Sequence, residues 1–200
     1  VRAHTLEKIA DITANRLRKM GYVAPDFKVY RKDFNQVVDT IFNNYGDCAH
    51  WLVVIDPYGT DIKWETVEKV LNTGKADVIF NFMCGALRRQ VPHACGGEDH
   101  AFDNFLGGRE WRSAVCNLGE VGEGLYKYFE NLVRSRGYEI YSVSVEREKY
   151  EWHYHIMVLL RQREGGHPWV DTLKEKMKPC IEELKDRGVE LLFSNESLDR

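Results

Sequence analysis

The fold is decided by the stretch Trp51-Leu52-Val53-Val54-Ile55-Asp56-Pro57-Tyr58-Gly59, which predicts a buried strand that stops at a carboxylate. The run from Trp51 to Ile55 is wholly apolar and rich in β-branched side chains, so a strand is favoured over a helix. Pro57 ends the strand because it has no N–H to donate to a sheet. Ligands bind at the carboxyl ends of strands in open α/β sheets, so Asp56, Pro57 and Tyr58 are candidate site residues.

The residues after this stretch predict a second strand parallel to the first. Apolar side chains recur there at helical spacing, at Trp64, Val67, Val70 and Leu71. A near-continuous apolar strand follows at Ala76–Met83. Two strands that are apolar on both faces and joined by a helix are typical of a βαβ unit in a parallel sheet.

The residues before this stretch predict two helices and a short strand. The helices cover residues 5–20 and residues 35–45, and the strand is Phe27–Tyr30. Asp33 follows the strand and precedes the second helix. It therefore suits either a site at a strand end or the N-cap of that helix.

Residues 84–118 interrupt the periodic pattern, and we predict a loop at Val91–His100 beside the Asp56 site. Loops in such a position often carry specificity. The basic side chains of this region are Arg88, Arg89, Arg109 and Arg112. They can supply phosphate contacts, and a solvated surface is the alternative. The metal-ligating side chains here are Cys84, His93, Cys95 and His100, whose spacing lacks the tight pairs typical of zinc sites, so we predict no metal site.

The last third of the chain predicts an antiparallel hairpin. The elements expected there are a helix at Leu125–Arg136, strands at 137–145 and 152–160, a helix at Pro168–Arg187 and a strand at Val189–Phe193. The two longer strands are joined by so short a link that they must run antiparallel. His153 and His155 share one face of the second of these strands, where we expect a half-buried structural role rather than metal binding.

Length and composition indicate one domain over residues 1–200, with a parallel βα part at 1–118 and a second part at 119–200. A net charge of −3 does not indicate nucleic-acid binding, although a local basic rim can suffice. No apolar run reaches the roughly 18 residues of a membrane span, so we predict no membrane association. Because no secretory signal follows Val1, we expect a cytoplasmic location and reduced thiols at all five cysteines.

Three resemblances bear on function. Asp56-Pro57-Tyr58 resembles motif IV of S-adenosylmethionine-dependent methyltransferases that act on exocyclic amines, where the pattern is Asp/Asn-Pro-Pro-aromatic. With Gly59 it is also similar to the Asp-Pro-Phe-Gly form of a guanine-N2 tRNA methyltransferase family. Over residues 5–170 the chain resembles the three-Cys-motif partner proteins, a family of class I, Rossmann-like methyltransferases named for a radical-type partner protein. That likeness is carried by Ile55–Gly59, Trp64–Thr66, Ala76–Phe82, Asn104–Gly108, Trp111, Leu125-Tyr126, Gly137-Tyr138 and Tyr154–Val158.

The resemblance implies an α/β fold with a Rossmann-like methyltransferase sheet, helices on both faces and a C-terminal antiparallel hairpin. It implies S-adenosylmethionine as the cofactor. Asp33 would accept a hydrogen bond from the adenine amine of this cofactor, and Phe34 would pack on the adenine ring. The radical-type protein is the partner that the family name implies.

The resemblance also implies a substrate site. Its catalytic residues would be Asp56, Pro57 and Tyr58, and Gly59 would bind the substrate. Arg88 and Arg89 join the substrate-binding residues as basic side chains that can supply phosphate contacts. Asp56 and the carbonyl of Pro57 would accept from the N–H groups of an exocyclic amine, which localises the nitrogen lone pair toward the methyl group. Tyr58 would stack on the base, a contact worth about 1–3 kcal/mol. The substrate expected from this chemistry is a nucleobase in DNA or RNA.

The first strands of such a sheet have no counterpart in the sequence. The usual strand order is 3-2-1-4-5-7-6, and neither a Gly-rich loop after a first strand nor an acidic residue after a second is found. Strands 1 and 2 would lie between the strands near residues 27 and 51. Their absence would leave unpaired edges in the sheet. We favour a sequence that lacks the N-terminal segment of a longer protein, and we then expect this 200-residue form to transfer little on its own. A strand near Leu191 that fills the gap and a different α/β sheet are the alternatives.

Two other functions stay open. A Rossmann-like module without catalysis could act as a protein-binding partner. A nuclease or phosphohydrolase could use Asp33 and Asp56 with Mg²⁺, but the further carboxylates of a two-metal site are not found.

Overall fold

The structure is a computed structural model that describes residues 3–23, 28–45, 50–97, 100–117, 121–147, 152–164 and 190–194, with positions 167, 168, 170, 172, 175, 176 and 179. The chain divides into two compact units, Val1–Asn44 and Tyr45–Arg200, which we call the first and the second unit. The boundary predicted at residue 118 falls within the second unit. Folding of residues 1–200 as one domain stays a prediction.

The first unit is helical over most of its described residues. It contains α1 (Ala3–Lys19) and all but the last residue of α2 (Phe34–Tyr45), which confirms both expected helices. The strand expected at Phe27–Tyr30 is wrong over its described part, residues 28–30, and its first residue lies outside the described ranges. The described part has no buried residue, so it has no apolar face to place in a sheet. Arg31, next to it, makes an ion pair of 3.0 Å with Glu7 of α1.

The second unit alternates strands and helices and then continues into antiparallel strands. Its elements are β1 (Trp51–Ile55), α3 (Trp64–Asn72), β2 (Ala76–Phe82), α4 (Cys84–Gly96), α5 (His100–Phe105), α6 (Trp111–Val115), α7 (Val121–Arg134), β3 (Tyr138–Arg147), β4 (Trp152–Arg161) and β5 (Glu190–Ser194).

The strands form one mixed sheet in the order β1-β2-β4-β3-β5. β1 and β2 are parallel, with Trp51 opposite Ala76 and Ile55 opposite Phe80. β4 runs antiparallel to both of its neighbours, β2 and β3. The fold is therefore mixed α/β. The expected βαβ unit of β1, α3 and β2 and the antiparallel hairpin of β3 and β4 are confirmed.

β5 lies at the opposite edge of the sheet from β1. It pairs antiparallel with β3, with Val143 opposite Phe193. The strand expected at Val189–Phe193 is confirmed to within one residue, but a strand near Leu191 does not fill a gap beside β1. The helix expected at Pro168–Arg187 is helical at its described positions, and its other residues lie outside the described ranges.

Residues 84–117 contain three helices where the sequence predicted a loop at Val91–His100. α4 buries a stripe that recurs at helical spacing and consists of Cys84, Leu87, Val91 and Ala94. α4 packs against α7, and burial of this stripe outweighs the hydrogen bond that Pro92 cannot donate. The loop prediction is therefore wrong over Val91–Gly96, because tertiary packing outweighs the local signal of Pro92. Glu98 and Asp99 lie outside the described residues.

The core is an aromatic cluster around Phe129 of α7, which is fully buried. Its ring centroid lies 4.7 Å from that of Phe80 and 5.2 Å from that of Phe82, both on β2. Phe105 of α5 stacks on it at 5.7 Å, and Trp64 of α3 meets it edge-on at 5.8 Å. This cluster attaches α3, α5 and α7 to the face of the sheet that carries Phe80 and Phe82.

The opposite face of the sheet is more exposed near β1. Leu52 and Val54 point to that face, and they are 67% and 65% exposed. On the same face, farther from β1, the ring of Tyr141 on β3 meets His167 edge-on at 6.4 Å between ring centroids. Helices on both faces of the sheet, as the resemblance implied, stay a prediction.

A disulfide joins Cys95 of α4 to Cys116, which follows α6. The expectation of reduced thiols is wrong for this pair. α4 and α6 both pack against α7, and the two Cα atoms lie 5.7 Å apart, within the range that a disulfide spans. Cys84 is buried and outside a disulfide. Sequence spacing alone could not reveal the pairing, because it depends on where three helices meet.

We expect Phe129→Ala to lower the free energy of unfolding by about 3–5 kcal/mol, because it removes the ring that four aromatic neighbours contact. Urea unfolding followed by tryptophan fluorescence measures this change. The control is Tyr58→Ala, which removes a ring that is 82% exposed and should change the same quantity by no more than about 0.5 kcal/mol. Equal effects of the two variants would contradict the assignment of Phe129 to the core.

We expect reduction of the Cys95–Cys116 disulfide to lower the free energy of unfolding by about 3 kcal/mol, since the bond closes a loop between positions 21 apart in the sequence. Urea unfolding with and without dithiothreitol measures the difference. In the double variant Cys95→Ser, Cys116→Ser the reductant should have no effect. Equal sensitivity of the parent chain and this variant would show that the bond does not form in solution.

Candidate functional site

The candidate site lies where the parallel strands β1 and β2 end side by side. Ile55 is opposite Phe80, so the next residues of the two strands, Asp56 and Asn81, are neighbours on the other face of the sheet. The Nδ2 of Asn81 donates a hydrogen bond of 2.7 Å to Oδ1 of Asp56. Asp56 is exposed, and its Oδ2 makes no hydrogen bond with a described residue. The carboxylate is thus held at one oxygen and open at the other.

A turn follows Asp56 and presents an aromatic ring. Pro57 is half-buried, whereas Tyr58 is 82% exposed and has no described ring contact. Gly59 is buried with φ of +64°, a left-handed conformation that favours glycine over any residue with a Cβ. The structure therefore supports a backbone role for Gly59, while Tyr58 is the side chain available to a flat ligand.

Arg88 and Arg89 lie on α4, which begins two residues after β2 ends. Both are exposed and make no ion pair with a described residue. The side-chain stem of Arg88 lies against Gly122 of α7, so its position is partly fixed by packing. The next residue, Gln90, has its Nε2 near Gly59. α4 thus borders the turn after Asp56, but no contact joins the two arginines to Asp56 itself.

Asp33 and Phe34 belong to the first unit and form the amino end of α2. Oδ1 of Asp33 accepts from the backbone N–H of Asn35 at 2.9 Å and from its Nδ2 at 3.0 Å. The carbonyl of Asp33 accepts from the N–H groups of Gln36 and Val37, as the residue at the start of a helix does. The capping alternative is therefore supported, and Oδ2 of Asp33 makes no hydrogen bond within the described residues.

Arg109 and Arg112 are held by Asp103 rather than presented to a ligand. Arg112 donates from Nη2 to both oxygens of Asp103 at 3.2 Å, and Arg109 lies 3.3 Å from Oδ2. Trp111 donates from Nε1 to Oδ1 at 3.0 Å. Burial by itself raises the pKa of Asp103, but the hydrogen bonds from Trp111 and Arg112 and the charges of Arg112 and Arg109 outweigh it, so this pKa lies below its usual value.

The side chain of His100, one of the four possible metal ligands, lies outside what the structure describes. Cys95 is in the disulfide, and no group of three or more His, Cys, Asp or Glu side chains in the described ranges could hold a metal ion. His155 is half-buried, as expected, and stacks on Tyr126 at 4.0 Å between ring centroids, while its structural role stays a prediction. The side chain of His153 lies outside what the structure describes.

Chemically, the Asp56 end of the sheet can accept a hydrogen bond and stack on a ring. Asp56 supplies an oriented acceptor oxygen, and Tyr58 supplies an exposed aromatic face. Sequence reasoning found both residues but missed Asn81. The available signal was a polar residue near the end of the near-continuous apolar run Ala76–Met83, a signal weakened by the second polar residue of that run, Asp77.

Comparisons with protein-family models, with curated proteins and with solved structures give no match. The methyltransferase resemblance therefore rests on the quoted residues. Among the helices of the described residues, none is long and apolar enough to cross a membrane.

We expect stability to fall in acid through Asp103. Because the folded pKa of Asp103 lies below the unfolded value of about 3.9, its ionised form stabilises the fold above that value, and the contribution is lost as the pH falls through the folded pKa. Asp103→Asn should lower the free energy of unfolding by about 1–3 kcal/mol at pH 7 and flatten its decline between pH 5 and pH 3. Urea unfolding at several pH values measures both effects.

The matched control for Asp103 is Glu164→Gln, which neutralises an exposed carboxylate with no described ion pair. It should leave the free energy of unfolding and its pH dependence nearly unchanged. An Asp103→Asn variant as stable as the parent at pH 7 would show that the two arginines do not depend on this carboxylate.

Proposed function

We propose that the chain is a module of an S-adenosylmethionine-dependent methyltransferase that acts on the exocyclic amine of a nucleobase in DNA or RNA. The observation that carries the proposal is the Asp56 carboxylate, fixed by Asn81 at one oxygen and open at the other, with the exposed ring of Tyr58 two residues away. These are the two groups that recognise a planar aromatic amine: an acceptor for its N–H and a surface for its ring.

The strand order supports the proposal. The order β1-β2-β4-β3, with β4 antiparallel to both neighbours, has the pattern of the last four strands in the usual methyltransferase order, 4-5-7-6. In that alignment β1 takes the place of strand 4, so Asp56 falls where motif IV lies. β5, which pairs with β3, has no counterpart in this order.

The chemistry asks the chain mainly to bind and orient. The lone pair of an aromatic amine is delocalised into the ring, and acceptance of an N–H by Asp56 localises it on the nitrogen. Tyr58 fixes the plane of the base by stacking. S-adenosylmethionine would supply the methyl group to the nitrogen, and the electron pair of the broken carbon–sulfur bond would stay on sulfur. The nitrogen then loses one proton to water, which reaches Asp56 because that side chain is exposed.

The residues assigned to the cofactor are compatible with that role in their chemistry. Oδ1 of Asp33 is used in the turn at the start of α2, but Oδ2 is exposed with the rest of the side chain and can accept from an adenine amine. Phe34 is half-buried and leaves part of its ring for packing. S-adenosylmethionine stays part of the proposal on these grounds.

Two arginine side chains favour a nucleic acid as the substrate. Arg88 and Arg89 are exposed cations on the helix that borders the turn after Asp56, and arginine is well suited to phosphate oxygens. The radical-type partner rests on the family resemblance alone. The cytoplasmic location also stays a prediction, and the Cys95–Cys116 bond does not favour it, since disulfides persist mainly in oxidising compartments.

The second candidate is a non-catalytic module that binds another protein. The observation that favours it is the apolar, exposed face of β1 at Leu52 and Val54, because contiguous exposed apolar surface often marks an interaction site. This candidate requires no cofactor.

The first experiment is calorimetric titration of the chain with S-adenosylhomocysteine, followed by single-turnover transfer of tritiated methyl groups to single-stranded DNA and RNA oligonucleotides. We expect Asp56→Ala to lower the transfer rate about 100-fold, because the amine loses its oriented acceptor. Oligonucleotides with inosine in place of guanosine, or purine riboside in place of adenosine, identify the methylated amine.

The matched control is Asp77→Asn, which neutralises an exposed carboxylate on the same strand as Asn81 and should leave transfer unchanged. Full transfer by Asp56→Ala would contradict the role of Asp56. Because little transfer is expected of this 200-residue form on its own, absence of both cofactor binding and transfer in a demonstrably folded chain would not by itself decide between the enzyme and the protein-binding module.

A further inference from the structure

Asn81 is one of two polar residues in β2, and its two amide atoms are in unlike environments. Nδ2 donates to Asp56 at 2.7 Å. Oδ1 is buried and accepts no hydrogen bond within the described part of the chain. A buried acceptor without a donor costs free energy, so this side chain is not explained by stability.

The orientation of the amide is fixed by chemistry. Exchange of the nitrogen and oxygen of Asn81 would place two acceptor oxygens 2.7 Å apart, which is repulsive beside a carboxylate. The amide must therefore point its N–H group at Asp56 even though its oxygen is left in the interior. An unsatisfied group that persists beside a candidate site is typical of residues kept for function.

We infer that Asn81 is a positioning residue of the amine site: it occupies one oxygen of Asp56 and so presents the other oxygen, Oδ2, to a single N–H of the base. This inference rests on the amine-recognition half of the proposed function. Asn81 does not touch the substrate. It fixes the rotamer of the carboxylate, so that the acceptor oxygen stays in place while the ring stacks on Tyr58.

The consequence for specificity is a preference for bases that carry an amine. With Oδ1 committed to Asn81, the carboxylate has one oriented acceptor and discriminates between an amine and a hydrogen at the same ring position. Without Asn81 the carboxylate can rotate, and water competes for both oxygens because Asp56 is exposed. The preference should then disappear, while stacking on Tyr58 remains.

The test uses NMR titration of the full chain with two nucleotide pairs, adenosine monophosphate against purine riboside monophosphate and guanosine monophosphate against inosine monophosphate. The Tyr58 ring resonances report binding. In the unmodified chain we expect the amine-bearing member of at least one pair to bind about tenfold more tightly. In Asn81→Leu that ratio should fall to about one, while the deamino nucleotide keeps its affinity.

Two further measurements separate positioning from a merely structural role. The urea midpoint of Asn81→Leu should be equal to or above that of the parent, because the substitution removes a buried acceptor that has no partner. The side-chain amide signal of Asn81 should be protected from exchange with solvent in the unmodified chain and lose that protection in Asp56→Ala. Asn104→Leu, which alters an exposed asparagine of α5, is the control for both the ratio and the midpoint.

The outcomes are distinct. An amine preference that persists in Asn81→Leu overturns the inference and leaves the proposed function intact. An amide signal that does not respond to Asp56→Ala also overturns it, because the contact is then absent in solution. If the unmodified chain binds neither member of a pair, or shows no amine preference, amine recognition at Asp56 is overturned together with the inference.

Discussion

The parallel pairing of β1 with β2 is the constraint on which the rest of this structure depends. Parallel strands end at the same edge of a sheet, so the register that sets Ile55 opposite Phe80 also brings Asp56 beside Asn81. A shift of one residue would turn Phe80 away from Phe129 and remove the centre of the core. The burial of β2 therefore sets the positions of the two residues, and the hydrogen bond between them sets the orientation of the carboxylate.

One face of the sheet packs against helices and stabilises the fold, and the other face carries the candidate site. On one face, Phe80 and Phe82 pack with Phe129 and fix β2 against the helices. On the other face, Asp56 is exposed and Asn81 half-buried, so a ligand can reach the carboxylate without disturbing the core. Residues at strand ends keep their orientation better than residues on a free loop when the opposite face of the sheet is packed against helices.

How much could be predicted from the sequence depended on whether the signal was local. The apolar run ending at Asp56-Pro57 and the run at Ala76–Met83 contain their own evidence for strands, and both were predicted. Pro92 gave an equally local signal for a loop, and it misled, because the stripe of α4 is buried only when this helix packs against α7 and β4. The disulfide was missed for the same reason, since Cys95 and Cys116 meet only when α4 and α6 are packed.

The candidate site shows the same limit at the level of single side chains. Asp56 and Tyr58 could be proposed from their place after a strand, but the role of Asn81 depends on a register that no single strand reveals. Arg109 and Arg112 were plausible phosphate ligands in the sequence. In the structure both contact the carboxylate of Asp103, which also accepts a hydrogen bond from Trp111. The two arginines share this one carboxylate, whereas Arg88 and Arg89 have no described carboxylate partner. Both side chains lie on α4, so any contribution they make to binding depends on the stability of this helix. α4 is stabilised by the packing that keeps it helical at Pro92 and by the disulfide from Cys95 to Cys116.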